Sequence, residues 1–459
     1  MMKIIRYIIP VIAAITLSGC HIYKKYELPT DNSYVKQYEE SLKARVDSTS
    51  LPFLSWKEVF TDTLLQSYIN RALAENGDID NAVRNVEIAR AQLKGAKLSY
   101  LPSVALNPNG GAAKYGEGKM DTWTYTIPMS ISWEVDIFGK ILNRKRGAQV
   151  SVDQMEDYLQ AVRSQIVCSV ASCYYSLMLL HQQLNLVERT STIWNDQVES
   201  MKLMKEAGMV NEAAVVQSQA NYWNIMSSIP DIKESIHSLE STFSLLLHSY
   251  PQEWEVSDNM DFELPVSIEN GVPVTYLAAR PDVRAAERGL ASAYYTVNSA
   301  RAAFYPGLTI SSNGGFTNLL GSMVTNPGKW FIQLAGSLAA PVFSRGSNIA
   351  NLEVAKANQK KAMNDFETAV LKASADVSDA LMSYKYNQEK RDCILKQVDN
   401  LEKSVEYTQE LLTLDRSTTY LEVLTARSSL LSDQQSSLSA WYDKVSALIT
   451  LYQSVGGGR

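Results

Sequence analysis

Cys20 carries the clearest chemistry in this sequence. Lys3 and Arg6, the apolar run Tyr7–Leu17 and the small pair Ser18-Gly19 lead directly to its thiol, the order of a secretory signal. Residues 1–19 are therefore expected to be a signal peptide that is cleaved before Cys20. The other cysteines, Cys168, Cys173 and Cys393, have no metal-type spacing. Cys168 and Cys173 stand five apart on one helix, point in different directions and are expected to be small core residues. Thioethers suit Cu(I), and Met201, Met204, Met209 and Met226 invite that reading. Methionine at helical spacing fills cores, however, and Met201 continues an apolar seam. His21, His181, His237 and His248 show no ligand spacing. There is no nucleophile–base arrangement, phosphate-cradling loop or carboxylate pair with a supporting context. The reading is of no enzyme, no metal and no cofactor. A net charge of −6 over 459 residues gives no reason to expect nucleic acid.

The chain is instead organised around Trp123–Asp136. Its odd positions are Trp123, Tyr125, Ile127, Met129, Ile131, Trp133 and Val135, and its even positions are Thr124, Thr126, Pro128, Ser130, Ser132, Glu134 and Asp136. Such alternation predicts a strand with one apolar and one polar face. A soluble sandwich strand would also alternate. The unbroken length, the tryptophan near each end and the hydroxyl-rich opposite face point to lipid.

After Gly139 the apolar spacing becomes helical. Met155, Leu159, Val162, Ile166, Val170, Cys173, Leu177, Leu180, Leu184, Val187, Trp194, Val198 and Met201 form a heptad seam. A helix from Lys140 to Ala207 would be about 100 Å long. Gly208–Asn211 is read as a turn, with Gly208 as a helix C-cap, and Glu212–Leu247 as the return helix. Upstream, residues 21–60 show no clear periodicity and read as irregular. Leu64–Ala74 begins a helical pattern, Asp78 opens a clearer helix that ends before Pro102, Val104-Ala105-Leu106 reads as the start of a strand, and Asn109–Lys119 as a glycine-rich loop.

The pattern then repeats. Subtracting 204 places Asp282 on Asp78, Ala286 on Ala82, Ala293 on Ala89, Ala300 on Ala96 and Pro306 on Pro102. Leu308, Ile310 and Phe316 share one face of a strand; Trp330, Ile332, Leu334 and Leu338 share one face of the next. A second long helix follows, with Phe366, Val370, Val377, Leu381, Tyr384, Ile394, Val398, Leu401, Val405 and Leu411 on its seam. A turn at Asp415–Thr419 leads into a return helix. Each half reads helix, strand, strand, long helix, return helix. Four strands cannot close a membrane barrel, and an open edge in lipid leaves backbone groups unpaired at several kcal/mol each. The strands therefore require further copies of the chain, and so do the helical seams.

Short motifs fall in a fixed order along this scheme: Leu17-Ser18-Gly19-Cys20, Trp56-Lys57-Glu58-Val59-Phe60 with Asp62 and Leu65, Ala89-Arg90, and Leu101-Pro102-Ser103. Then come Trp133-Glu134-Val135-Asp136-Ile137-Phe138-Gly139, Arg280-Pro281-Asp282-Val283-Arg284-Ala285-Ala286-Glu287, and Leu451-Tyr452 through Gly456-Gly457-Gly458. In these residues the sequence resembles the TolC-like outer membrane efflux family, specifically the outer membrane lipoprotein factors of RND-type tripartite pumps. The first motif resembles a lipobox with Cys20 as its lipidation site.

The resemblance implies a mainly α fold with a membrane β-barrel segment. A homotrimer would share a twelve-stranded barrel and a long periplasmic α-helical barrel. Expected domains are a signal peptide at 1–19, a lipid-anchored segment at 20–60, a first repeat at 61–250 with strands near 103–113 and 122–136, and an equatorial connection at 251–280. A second repeat occupies 281–459, with strands near 307–317 and 329–340. Trp123, Tyr125, Ile127, Met129, Ile131, Trp133, Leu308, Ile310, Phe316, Trp330, Ile332 and Leu334 would face outer membrane lipid. Gly208, Met209, Val210, Asp415, Arg416 and Tyr420 would form the periplasmic tip or gate. There the duct would meet a periplasmic adaptor that links it to an inner membrane RND-type transporter. Arg416-Ser417 departs from the family, which often has glycine at the second tip. The implied function is a passive exit duct for small molecules such as drugs or toxic compounds. A copper or silver efflux duct of the same fold and a structural coiled-coil lipoprotein are the alternatives.

Overall fold

The computed structural model describes residues 24–29, 33–43, 51, 54–113, 122–262, 274–317, 329–341, 345–414 and 420–458. The signal segment, Cys20 and the Asp415–Thr419 turn lie outside them. The described helices are α1 (Ser33–Lys43), α2 (Trp56–Val59), α3 (Thr63–Glu75), α4 (Gly77–Leu98), α5 (Lys140–Glu206), α6 (Glu212–Leu246), α7 (Pro281–Ala302), α8 (Ser347–Leu414) and α9 (Tyr420–Ser454). The strands are β1 (Ser103–Leu106), β2 (Asn109–Ala113), β3 (Thr122–Val135), β4 (Gly307–Thr317) and β5 (Lys329–Ala339). The duplication is visible in the lengths. α4 and α7 each have 22 residues, α5 and α8 have 67 and 68, and α6 and α9 each have 35.

Two compact units divide the chain, the first holding Arg84–Glu156 and Arg284–Thr368, the second Ser33–Val83, Asp157–Val283 and Ala369–Arg459. The first unit contains the sheet, antiparallel throughout, in the order β1-β3-β4-β5 with β2 also on β3. β1 and β2 are two pieces of one lane. Between them Asn107 N–H donates to Pro128 O at 3.1 Å. A strand residue points its N–H and C=O toward the same neighbour, so the donor that Pro128 lacks also faces this gap, beside Pro108. Proline thus sits in a central strand without costing the β3–β4 ladder a bond.

The motif Glu134–Gly139 turns strand into helix. Asp136 accepts from Ile141 N–H at 3.1 Å and Leu142 N–H at 2.6 Å, satisfying donors at the start of α5. Glu134 pairs with Lys140 at 2.8 Å, and Phe138 stacks on Tyr305 with centroids 4.9 Å apart.

The second unit has a dense core. Phe60, Leu65, Ile69, Tyr174, Leu177, Phe243, Leu451 and Tyr452 are buried in one cluster. Polar tips of its aromatics fasten segments distant in sequence. Tyr174 Oη donates to Asp62 at 2.7 Å and accepts from Ser257 N–H at 2.9 Å. Trp441 Nε1 donates to Met260 O at 2.7 Å, and Tyr452 Oη to Leu54 O at 3.0 Å. Cys168 is buried here and its thiol is pushed up to about 12 by burial, so it stays protonated and inert. The C-terminal glycines follow from close approach. A Cβ on Gly457 would overlap the Tyr452 ring, one on Gly458 would meet Ser164 Cα, and Gly458 has φ +91°.

Two expectations need correction. The segment 21–60 is not irregular throughout, because α1 forms across Ser33–Lys43 and buries Val35 and Tyr38. Eleven residues with so few apolar positions carry too short a period to read, and packing decides the matter. The glycine-rich loop expected from Asn109 also overlaps the strand expected near 103–113, and up to Ala113 the chain is strand. Asn109–Ala113 pairs with Thr122–Thr126 as β2, since ladder bonds are indifferent to side-chain size.

Arg280, whose side chain is 9% exposed, joins the start of α7 to both α8 and α9. It donates to Asp282 at 3.0 and 2.7 Å, to Asp376 at 2.9 Å and to Ser454 O at 2.9 Å. Burial pushes the Asp282 carboxyl up, but the Arg280 hydrogen bonds and charge outweigh it and hold the group below the usual carboxylate range. A depressed folded pKa gives stability that is complete above the ordinary aspartate range and lost as pH falls through the folded value. The melting-temperature gap between wild type and Asp282→Asn, measured in detergent, is therefore expected to be largest near neutral pH and to shrink below about pH 4. A gap independent of pH would remove the ion pair from the account.

Candidate membrane belt and duct end

The sheet register places all the belt residues named from the sequence on one face. Ile127, Phe316 and Trp330 form one cross-strand row; Met129, Gly314 and Ile332 the next; then Ile131, Ser312 and Leu334; then Trp133, Ile310 and Gly336. Tyr125 and Trp123 continue the same face of β3 toward β2, opposite Gly110 and Ala112. The face is bare in the single chain, with Trp330, Ile332 and Leu334 at 71, 71 and 76% exposure. Apolar side chains this exposed, contiguous and held on a rigid sheet mark an interaction with something apolar. Trp133 Nε1 donates to Tyr100 O at 2.9 Å at one end of the belt, an aromatic with its polar edge satisfied.

Val104 and Leu106 also join this face, opposite Ile131 and Met129, and are exposed. They were not among the belt residues expected from the sequence, because a four-residue strand cannot display a period.

The opposite face is polar and small. Ser103, Ser132, Ser311 and Ala335 share one row, Ala105, Ser130, Asn313 and Gln333 another, and Glu134, Thr309 and Ser337 a third. Thr126 and Thr317 exchange a hydroxyl contact at 3.1 Å. The outer edges of the β1/β2 lane and of β5 pair with no strand among the described residues. No described helix is long and apolar enough to cross a membrane.

In the second unit, α5 ends in the turn foreseen. Gly208 has φ +72°, and Met209 N–H donates to Met204 O at 2.9 Å. Asn211 caps α6 by accepting from Ala214 N–H at 3.1 Å, and Lys205 pairs with Glu212 across the turn. Met209 is 64% exposed and Val210 half-buried, leaving an apolar tip. Tyr420 opens α9 and belongs to a cluster against which Val210 of that turn packs. It is buried with Trp194, Met201, Val215 and Leu424, and its Oη lies 3.3 Å from Ser218 Oγ. Tyr407 is exposed. Met201 is fully buried in the same cluster and Met204 packs against it, so these thioethers fill the seam. Asp415 and Arg416 lie outside the described residues.

These features match known proteins along almost the whole chain. The sequence is 27% identical over 460 residues to the cation efflux system protein CusC of Escherichia coli O6:H1, covering 98% of each chain. It is 25% identical over 472 residues to the solvent efflux pump outer membrane protein SrpC of Pseudomonas putida, again covering 98% of each. The fold superposes on the open state of the Neisseria gonorrhoeae MtrE outer membrane channel with a TM-score of 0.80 at 24% identity, over 95% of this chain and 97% of that one. The fold is thus the TolC-like channel fold. Residues 68–245 and 272–457, one segment in each repeat, match the family described as outer membrane efflux protein, and the chain belongs to that family.

Proposed function

We propose that three copies of this chain close one twelve-stranded barrel and act as the passive outer membrane exit duct of a tripartite pump. The carrying observation is the pairing of a bare apolar face with two open edges on one four-lane sheet. The lanes alternate in direction, so β5 of one copy would meet the β1/β2 lane of the next antiparallel, and three sets of four lanes make an even-numbered barrel. The apolar rows would then face lipid and the Ser, Thr, Asn and Gln rows a water-filled lumen. Acylation of Cys20 would add a lipid anchor. Energy would come from an inner membrane transporter of the RND type, reached through a periplasmic adaptor at the hairpin turns Gly208–Asn211 and Asp415–Thr419. Gly208, Met209 and Val210 would form one contact and Asp415 and Arg416 the other, with Tyr420 fixing the start of α9 behind them. Selectivity would rest on pore width, lining charge and the gate.

A second reading keeps the fold and narrows the cargo to copper or silver ions. The relative CusC, a cation efflux protein, favours it; the relative SrpC, a solvent efflux protein, and the buried Met201 favour organic cargo. Deleting the gene and challenging cells with copper and silver, then with toluene, dyes and detergents, separates them. Greater sensitivity to the organic compounds is expected. Sensitivity confined to the metals would select the second reading.

The belt itself is tested by two neighbours on β5. Arginine on the lipid face costs about 2–4 kcal/mol at the bilayer midplane, whereas lumen positions tolerate charge. Leu334→Arg is expected to reduce carbonate-resistant membrane protein at least tenfold, and Gln333→Arg to leave it near wild type. Equal losses from the two variants would contradict the two-faced wall.

A further inference from the structure

We infer that the helical segments bordering the sheet form a cationic collar that binds the anionic phosphates of glycerophospholipids in the periplasmic leaflet. The inference rests on the belt reading above and adds a partner to it. The register brings the ends of four connections to one end of the sheet: Ser103, Val135, Gly307 and Ala339. Through them α4 ends, α5 begins, α7 ends and α8 begins, all within the first unit. Along each of these helices the nearest acidic residue stands well back from the sheet, at Glu87, Asp153, Glu287 and Glu353. The intervening stretches carry Lys94 and Lys97, Arg144, Lys145 and Arg146, Arg301, and Arg345. Lys97, Arg144, Arg301 and Arg345 are exposed. A chain of net charge −6 thus concentrates positive charge in one layer directly beside its apolar belt.

Helix electrostatics alone do not explain this layer. A helix N-terminus favours acidic side chains, yet the first turns of α5 and α8 contain none, and α5 opens with four cations in its first seven residues. Their placement runs against the macrodipole and adds to the positive potential there. Asp136, which caps the start of α5, and Glu134, which pairs with Lys140, offset part of this charge and leave the remainder for an anion outside the chain. Next to a lipid-facing sheet that anion is a leaflet of phosphates, with the Trp133–Tyr100 and Phe138–Tyr305 aromatics at headgroup depth. A groove of about 660 Å³ in the same zone, lined by Lys140, Arg144, Ser299, Asn348 and Asn351, has room for a headgroup.

The test uses the full-length protein in neutral detergent, with native mass spectrometry counting bound phosphatidylglycerol and phosphatidylcholine. Each cation near a membrane surface strengthens anionic binding about fivefold. Wild type is expected to prefer phosphatidylglycerol by at least that factor. The variant combining Lys97→Gln, Arg144→Gln, Arg301→Gln and Arg345→Gln is expected to lose the preference. Its counterpart with lysine at the three arginine positions is expected to keep it. Equal binding of the two lipids to wild type, or an unchanged preference in the glutamine variant, would overturn the collar. So would full displacement of phosphatidylglycerol by millimolar inorganic phosphate, which would mark a free-anion site. Conductance in planar bilayers keeps the two readings apart. A conducting wild type without lipid preference defeats the collar alone, and a wild type that never inserts defeats the belt as well.

Discussion

Hydrocarbon offers no hydrogen-bond partner, so every backbone N–H and C=O that enters it must find one within protein. A sheet of four lanes satisfies its interior bonds and leaves two edges bare. Such a sheet is tolerable in lipid only if the edges meet other edges. The proposed trimer, the alternation of strand faces and the duplicated sequence are consequences of that demand. Duplication lets a single chain supply four lanes. The even number keeps direction alternating through each junction, so identical copies can close without a mismatched pair.

The helices answer a different requirement. Each strand that leaves the sheet continues into a helix of 67 or 68 residues, about 100 Å at 1.5 Å per residue. A helix that long is stable only where its apolar stripe is covered along its length. Val187, Trp194 and Met201 of α5 are covered by α6 and the start of α9. The outer half of the α8 seam is less protected: Ile394, Val398 and Val405 are half-buried and Leu411 is exposed. Within the second unit, the buried aromatics and the Arg280 cluster tie the described parts of the N-terminal segment, the connection and the C-terminus together.

Much of this was legible in the sequence because the physics is periodic. Two different solvents on the two sides of β3 wrote an alternation long enough to read, and the α5 seam wrote a heptad. Asp136 was legible as part of a motif, but its reason, two backbone donors at the start of α5, needed coordinates. What the sequence withheld depends on contacts between distant residues. The break at Asn107 and Pro108 makes sense only beside Pro128, α1 only through packing, and the C-terminal glycines only against Tyr452 and Ser164. Tyr420 stands beside the second turn in the sequence, and only the structure shows it buried among seam residues with Val210 packed against them. The cations near the sheet were present in the sequence all along. Only the topology gathers them into one layer.

The most direct test is the detergent-corrected mass of the mature protein extracted from membranes, backed by crosslinking in intact cells. The shared barrel predicts a mass of three chains, with crosslinks between the β5 edge and the β1/β2 lane. A monomer in detergent together with only monomer in crosslinked membranes would contradict it. Four strands would then have to face lipid with open edges, which the backbone does not permit.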